Sequence, residues 1–173
     1  MNTFFTVILT SLVFVIALWI AVGVRHLSTL KKNLADDFEF VDEKIRLRHD
    51  IIPILIEILR KFSVSFPEKI ISTRDKARRV QEAGLIKIES EYDLSHEIKE
   101  LINTGLKNSL CAKDPNFLEI KKEIENLNIE ILNRSRQYND TVLKFNSTKN
   151  IWILLPISKI MKLKQALIFQ FEK

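Results

Sequence analysis

DPNFLEIKKEIENLNIEILNRSRQYNDTVLKFN, Asp114–Asn146, is the stretch that decides the fold of this 173-residue chain. Its apolar positions Phe117, Ile120, Ile124, Leu127 and Ile131 continue through Arg134 to Tyr138, Val142 and Phe145. The steps are threes and fours, the spacing of one helix face. Asp114 stands where an N-cap belongs, and Pro115 in the first turn, where a missing N–H is harmless. A stripe about four heptads long needs an apolar partner, most simply other helices folded back against it.

Two such partners lie upstream. From about Leu34 to Phe62 the positions Phe38, Val41, Ile45, Ile52, Leu55, Leu59 and Phe62 repeat the pattern, and one step of seven skips over Arg48. A second helix is expected to open at Ser65-Phe66-Pro67-Glu68, where Ser65 and Glu68 have capping-box spacing. Ile70, Ala77, Val80 and Ala83 carry its seam. The pattern then blurs after Gly84 and resumes at Leu94, Ile98 and Leu101, so one long helix with an irregularity between Gly84 and Asp93, or two helices, is expected. Downstream, Pro156 breaks an apolar run, and Ile157–Phe171 is expected to form a short fourth helix that closes the bundle with Ile160, Leu163, Leu167 and Phe171. With only three glycines and four prolines, the chain lacks the turn punctuation of a sandwich or an α/β fold.

Outside this set lies an N-terminal stretch of another kind. Arg25 is the first charged side chain, and Phe4–Val24 reads FFTVILTSLVFVIALWIAVGV. As a helix it is roughly 32 Å long, the thickness of a hydrocarbon core. A signal peptide would want a basic start, a shorter apolar run and a small-residue cleavage site, and none is present. The expected architecture is therefore all-α: a transmembrane anchor over 4–24, then an up-and-down antiparallel bundle of about four helices over 25–173. Arg25, Lys31 and Lys32 follow the span closely, which by the positive-inside rule puts the bundle in the cytoplasm of a single-pass cell-membrane protein.

Composition excludes several functions. The net charge of +5 is a mixture of both signs along helix faces, not a basic stripe, and nucleic acid is not an expected partner. Cys111 is the only cysteine, so no internal disulfide exists. His26, His49 and His96 are too far apart for helical metal ligation, and the isolated glycines form no phosphate loop. No cofactor, metal or catalytic set is expected. Lys149, Lys159, Lys162, Lys164 and Lys173 face one acid, Glu172, in the last 25 residues. With Trp152 and Ile151–Leu155 they allow peripheral lipid contact by 149–173, although bundle closure is the preferred reading.

RLRHDIIPILIEILRKF (Arg46–Phe62) resembles the segment of the LemA family written L-x-R-R-x-D-L-I-P-N-L-V. Arg74-Asp75-Lys76-Ala77-Arg78 is similar to that family's second-helix A-R element, and Asn116-Phe117-Leu118-Glu119-Ile120 to its N-F-L-x-L. Tyr138-Asn139, Val142 and Phe145-Asn146 match Y-N-x-x-V-x-x-Y-N, and Pro156 and Phe169–Glu172 resemble its closing proline and F-x-F-E. There are departures: Asn128-Ile129 replaces an E-N pair, Ser135 an arginine, and Ile54 an asparagine. The resemblance implies a membrane-anchored up-and-down bundle and no established activity.

The polar residues within these motifs are Arg48, Asp50, Pro53, Arg134, Tyr138, Asn139 and Asn146. Pro53 inside a helix leaves the carbonyl of His49 without its donor. The expected arrangement has Asn139, with Arg134, reaching Asp50 or that carbonyl to fix helix register, and Asn146 acting as a helix C-cap. The competing reading is a small polar ligand pocket around Arg48 and Asn139. The expected function is a non-enzymatic interaction or scaffold module near the bilayer with an unknown protein partner, the alternative a sensor or small-ligand-binding bundle.

Overall fold

The computed structural model of the chain describes residues 2–80 and 84–170. Five helices follow in order: α1 (Asn2–Lys61), α2 (Lys69–Arg79), α3 (Leu85–Lys107), α4 (Pro115–Lys149) and α5 (Leu155–Ile160), with a 3₁₀ turn at Cys111–Lys113. No strand occurs among the described residues, and the all-α expectation holds. The chain packs as two compact units, Met1–Asp36 with Asp140–Ala166, and Asp37–Asn139 with Leu167–Lys173.

In the second unit the helices alternate in direction. Ion pairs Asp42–Lys87 and Arg48–Glu91 advance together along α1 and α3, whereas Lys44–Glu130 and Arg48–Asn128 run in opposite senses along α1 and α4. The shared core is Ile52, Leu55 and Leu59 of α1, Ile70 and Ala77 of α2, Leu94, Ile98 and Leu101 of α3, and Phe117 and Ile124 of α4. At Gly105, α3 comes close to α1 and α4. A Cβ there would lie 2.6 Å from the buried Phe117 ring and 2.9 Å from Leu59.

The helix ends follow from local chemistry. Asp114 caps α4 as expected, its Oδ1 accepting from Phe117 N–H at 2.9 Å. α1 ends at a left-handed Ser63 (φ 53°), with Ser63 N–H on Arg60 O and Val64 N–H on Leu59 O. These are the two bonds of a Schellman motif, with Val64 turned into the core. The capping box at Ser65 is not used. α2 begins at Lys69, led in by i→i−3 bonds from Ile70 N–H to Pro67 O and from Ile71 N–H to Glu68 O. α2 and α3 are separate helices, the second of the two forms expected. Pro53 lies within α1, which continues past it.

In the first unit, the apolar part of α1 faces outward: its most hydrophobic 18-residue window has mean hydropathy 2.8 and is 6% buried. This helix is long and apolar enough to cross a membrane. Leu154 and Ile157 pack against Gly23, and Leu27 and Leu30 are buried one and two turns on.

The expected helix over Ile157–Phe171 is not formed. α5 stops at Ile160, because Lys162 turns left-handed (φ 51°) and a second Schellman pair closes the end, Lys162 N–H to Lys159 O and Leu163 N–H to Ser158 O. Residues 163–170 are non-helical. Ile160 is 78% exposed and Leu167 42%, so neither closes a bundle, and Phe171 lies outside the described residues.

Candidate functional site

Arg48 interrupts the apolar face of α1 and is wholly buried. A guanidinium cannot lose its charge there, so it needs acceptors around it. Its Nη2 donates to Glu91 Oε2 at 2.8 Å, and its Nη1 to Ser95 Oγ at 2.9 Å and Asn128 Oδ1 at 3.2 Å. Glu91 is equally buried and also receives His49 Nε2 at 3.1 Å. Lys87 Nζ, one turn back on α3, lies 3.0 Å from Asp42 and 3.6 Å from Glu91. Arg46 closes the outer end on Asp42 at 2.6 Å.

Two buried cations, Arg48 and Lys87, thus balance two carboxylates, Glu91 and Asp42. A carboxylate only accepts, so Nε2 carries the imidazole proton toward Glu91. His49 Nδ1 is buried with no hydrogen-bond partner among the described residues. Burial by itself would raise the Glu91 carboxyl. The hydrogen bond and charge of His49, with the charges of Arg48 and Lys87, outweigh it and hold Glu91 below its ordinary value of 4.5.

The proline consequence is real but has a different beneficiary. The His49 carbonyl freed by Pro53 accepts from Arg74 Nε of α2 at 2.7 Å. Neither Asn139 nor Arg134 reaches it. Asp50 is exposed and pairs with Arg78 at 3.5 Å. Arg134 is exposed too, bonded to Gln137 and stacked over Phe40, and Ser135 occupies the buried seam position expected for it.

Asn139 holds the C-terminal tail instead. Its Nδ2 donates to Phe169 O at 2.9 Å and its Oδ1 accepts from Phe169 N–H at 2.7 Å. Tyr138 OH donates to Leu167 O at 3.1 Å, and Phe169 is buried beside Phe38. Burial pushes the Tyr138 phenol up. Asn146 makes the same bidentate clamp on Ala166, at 2.8 and 3.0 Å, inside α4 and not as its C-cap. Engaging both the N–H and C=O of one residue suits extended backbone, where the two point the same way. The asparagines are seven apart, about 10.5 Å of helix rise, and their partners three apart, about 10 Å of extended chain.

The charged cluster has a polar hollow of about 160 Å³ at its edge, lined by Asp42, Arg46, His49, Arg78 and Lys87. Elsewhere, a groove of about 510 Å³ runs along Pro53, Arg60 and Arg74, and a cleft of about 380 Å³ lies between Pro67 and Glu100. No group of three metal-binding side chains occurs among the described residues. Arg48 and Asn139 do not share a pocket: one lies in the ion cluster, the other on the tail.

The profile of the LemA family matches residues 37–173. The chain belongs to the LemA family. No curated protein matches it. In this LemA chain two of the three departures from the family pattern fall on polar positions facing the interior, Asn128 half-buried and Ser135 buried. Asn128 stands in place of the E-N pair and accepts from Arg48. Ser135 stands in place of an arginine, and its Oγ has no hydrogen-bond partner among the described residues. Glu91, Lys87, His49 and Asp42 escaped the sequence reading, although one signal was present: an arginine in an apolar seam requires a buried acid.

Proposed function

We propose that this LemA chain is a single-pass membrane protein whose bundle is a non-enzymatic interaction module, held on the cytoplasmic side of the bilayer for a protein partner. The observation that carries this reading is α1 itself, in which the outward-facing apolar stretch and the Arg48 segment belong to one helix. An apolar stretch left outside the core suits a module that works near the bilayer. The ion cluster supports a scaffold over a catalyst, because its charges are spent on one another and it offers no exposed nucleophile or acid–base pair. Proximity labelling by the full-length chain tests the proposal against a control carrying an unrelated bundle on the same Phe4–Val24 anchor. A reproducible set of proteins labelled only by the native bundle is expected; identical profiles would defeat it.

A second reading is favoured by the hollow beside His49 and Lys87. Its lining of three cations, a histidine and Asp42 suits a small anionic or zwitterionic ligand, and such a bundle would be a sensor. A metabolite that raised the melting temperature of the native chain and not of Arg78→Ala would favour it over the scaffold.

A further inference from the structure

The loop between α4 and α5, together with α5, is seated on the end of the apolar stretch of α1. Ile157 and Leu154 approach Gly23 so closely that a side chain there would overlap Ile157. Gly23 is the penultimate residue of Phe4–Val24. Around this contact the loop and the end of α5 turn large apolar side chains outward: Trp152 is 80% exposed, and Ile151, Ile153 and Ile160 are also exposed. The early end of α5 is what leaves Ile160 there. From Thr141 to Ala166 the sequence holds five lysines and no Asp or Glu. An apolar cluster with a tryptophan at its tip and lysines around it has the composition of a membrane-interface element.

We propose that residues 151–162 form an interfacial foot that inserts Trp152, Ile153 and Ile160 into the headgroup layer of the leaflet from which α1 emerges. Lys159 and Lys162 meet anionic lipid there. The occupant is the bilayer, because the contact with Gly23 fixes the loop at the depth where a span ending at Val24 leaves the hydrocarbon. The proposal rests on the membrane reading of Phe4–Val24 and adds a second, peripheral point of attachment to it.

Trp19 and Trp152 are the only tryptophans, so two single-tryptophan proteins separate the two claims. Full-length Trp19→Phe and Trp152→Phe chains are reconstituted in vesicles of phosphatidylcholine and phosphatidylglycerol, with and without lipids brominated just below the headgroup. In Trp19→Phe, bromolipid is expected to cut Trp152 emission about twofold, with weak quenching by aqueous acrylamide. Free quenching of Trp152 by acrylamide and none by bromolipid, with Trp19 still quenched by lipid in the other protein, overturns the foot and leaves the anchor standing. Shielding of Trp152 from both quenchers means that a second copy covers it, and also overturns the proposal. Trp19 unaffected by bromolipid removes the anchor and the foot together.

Discussion

Glu91 is the residue whose loss reaches furthest, because three positively charged or proton-donating groups converge on one buried carboxylate. Glu91→Gln removes the negative charge that faces Arg48 Nη2 at 2.8 Å and Lys87 Nζ at 3.6 Å. Breaking a buried pair in this way costs about 3–5 kcal/mol, since the desolvated partner is left uncompensated. A fall of that size in urea unfolding of the detergent-solubilised chain is expected; a loss under about 1 kcal/mol would show that Arg48 finds other acceptors. The same residue sets an acid limit. Its folded value lies below 4.5, so unfolding takes up a proton. The stability it contributes is complete above the unfolded value and is lost as pH falls through the folded one. Between about pH 7 and pH 3 the native chain should therefore lose more of its urea midpoint than Glu91→Gln does. Arg48 was legible in the sequence because it broke a periodic face. Glu91 was not, because the seam of α3 runs Lys87, Glu91, Leu94, Ile98, Leu101, and its charged end reads as solvated surface. The blur after Gly84 was an intact seam written in the residues that answer Arg48.

Among the elements, α4 was read almost completely, from the Asp114 cap to Phe145, because its periodicity and its signals agree. The tail was misread for an equally physical reason. Leu163, Leu167 and Phe171 have helical spacing, but periodicity records only side chains, and here the competition is over backbone groups. Asn139 and Asn146 take both polar groups of Phe169 and Ala166, which a helix would have used internally. Asn139→Asp keeps the acceptor for Phe169 N–H and loses the donor for its carbonyl, so about 1–3 kcal/mol of local stability should go. Hydrogen exchange across residues 163–170 is expected to quicken in Asn139→Asp and in Asn146→Ala, and to stay slow in α3. Uniform quickening would mean that the clamps hold the whole bundle, not the tail. At the other end of the bundle, Gly105→Ala drives a methyl into the Phe117 ring, which has no exposed side to retreat to. An overpacking cost of about 1–3 kcal/mol is expected in thermal melting, and Phe117→Leu should relieve part of it.

For the molecule as a whole, the proposed anchoring raises one decisive question, which side of the bilayer the bundle occupies. The sequence bears on it through Arg25, Lys31 and Lys32, which follow the apolar stretch while no charged side chain precedes it. The chain carries its own silent background for a labelling test. Cys111, its only cysteine, is fully buried, and burial, helped by the charge of Asp114, raises its thiol, so the reactive thiolate is scarce in the folded protein. Native chain should accordingly resist maleimide until it is denatured. New cysteines can then be read without removing it: Thr3→Cys ahead of the span, and Glu100→Cys on the exposed face of α3. In spheroplasts of a bacterial host, a membrane-impermeant maleimide should label Thr3→Cys at once and Glu100→Cys only after lysis. The reverse pattern puts the bundle outside and makes the three basic residues a false guide. Labelling of neither before lysis would mean that Phe4–Val24 does not cross the bilayer, and the scaffold would then have to find the membrane by some other attachment.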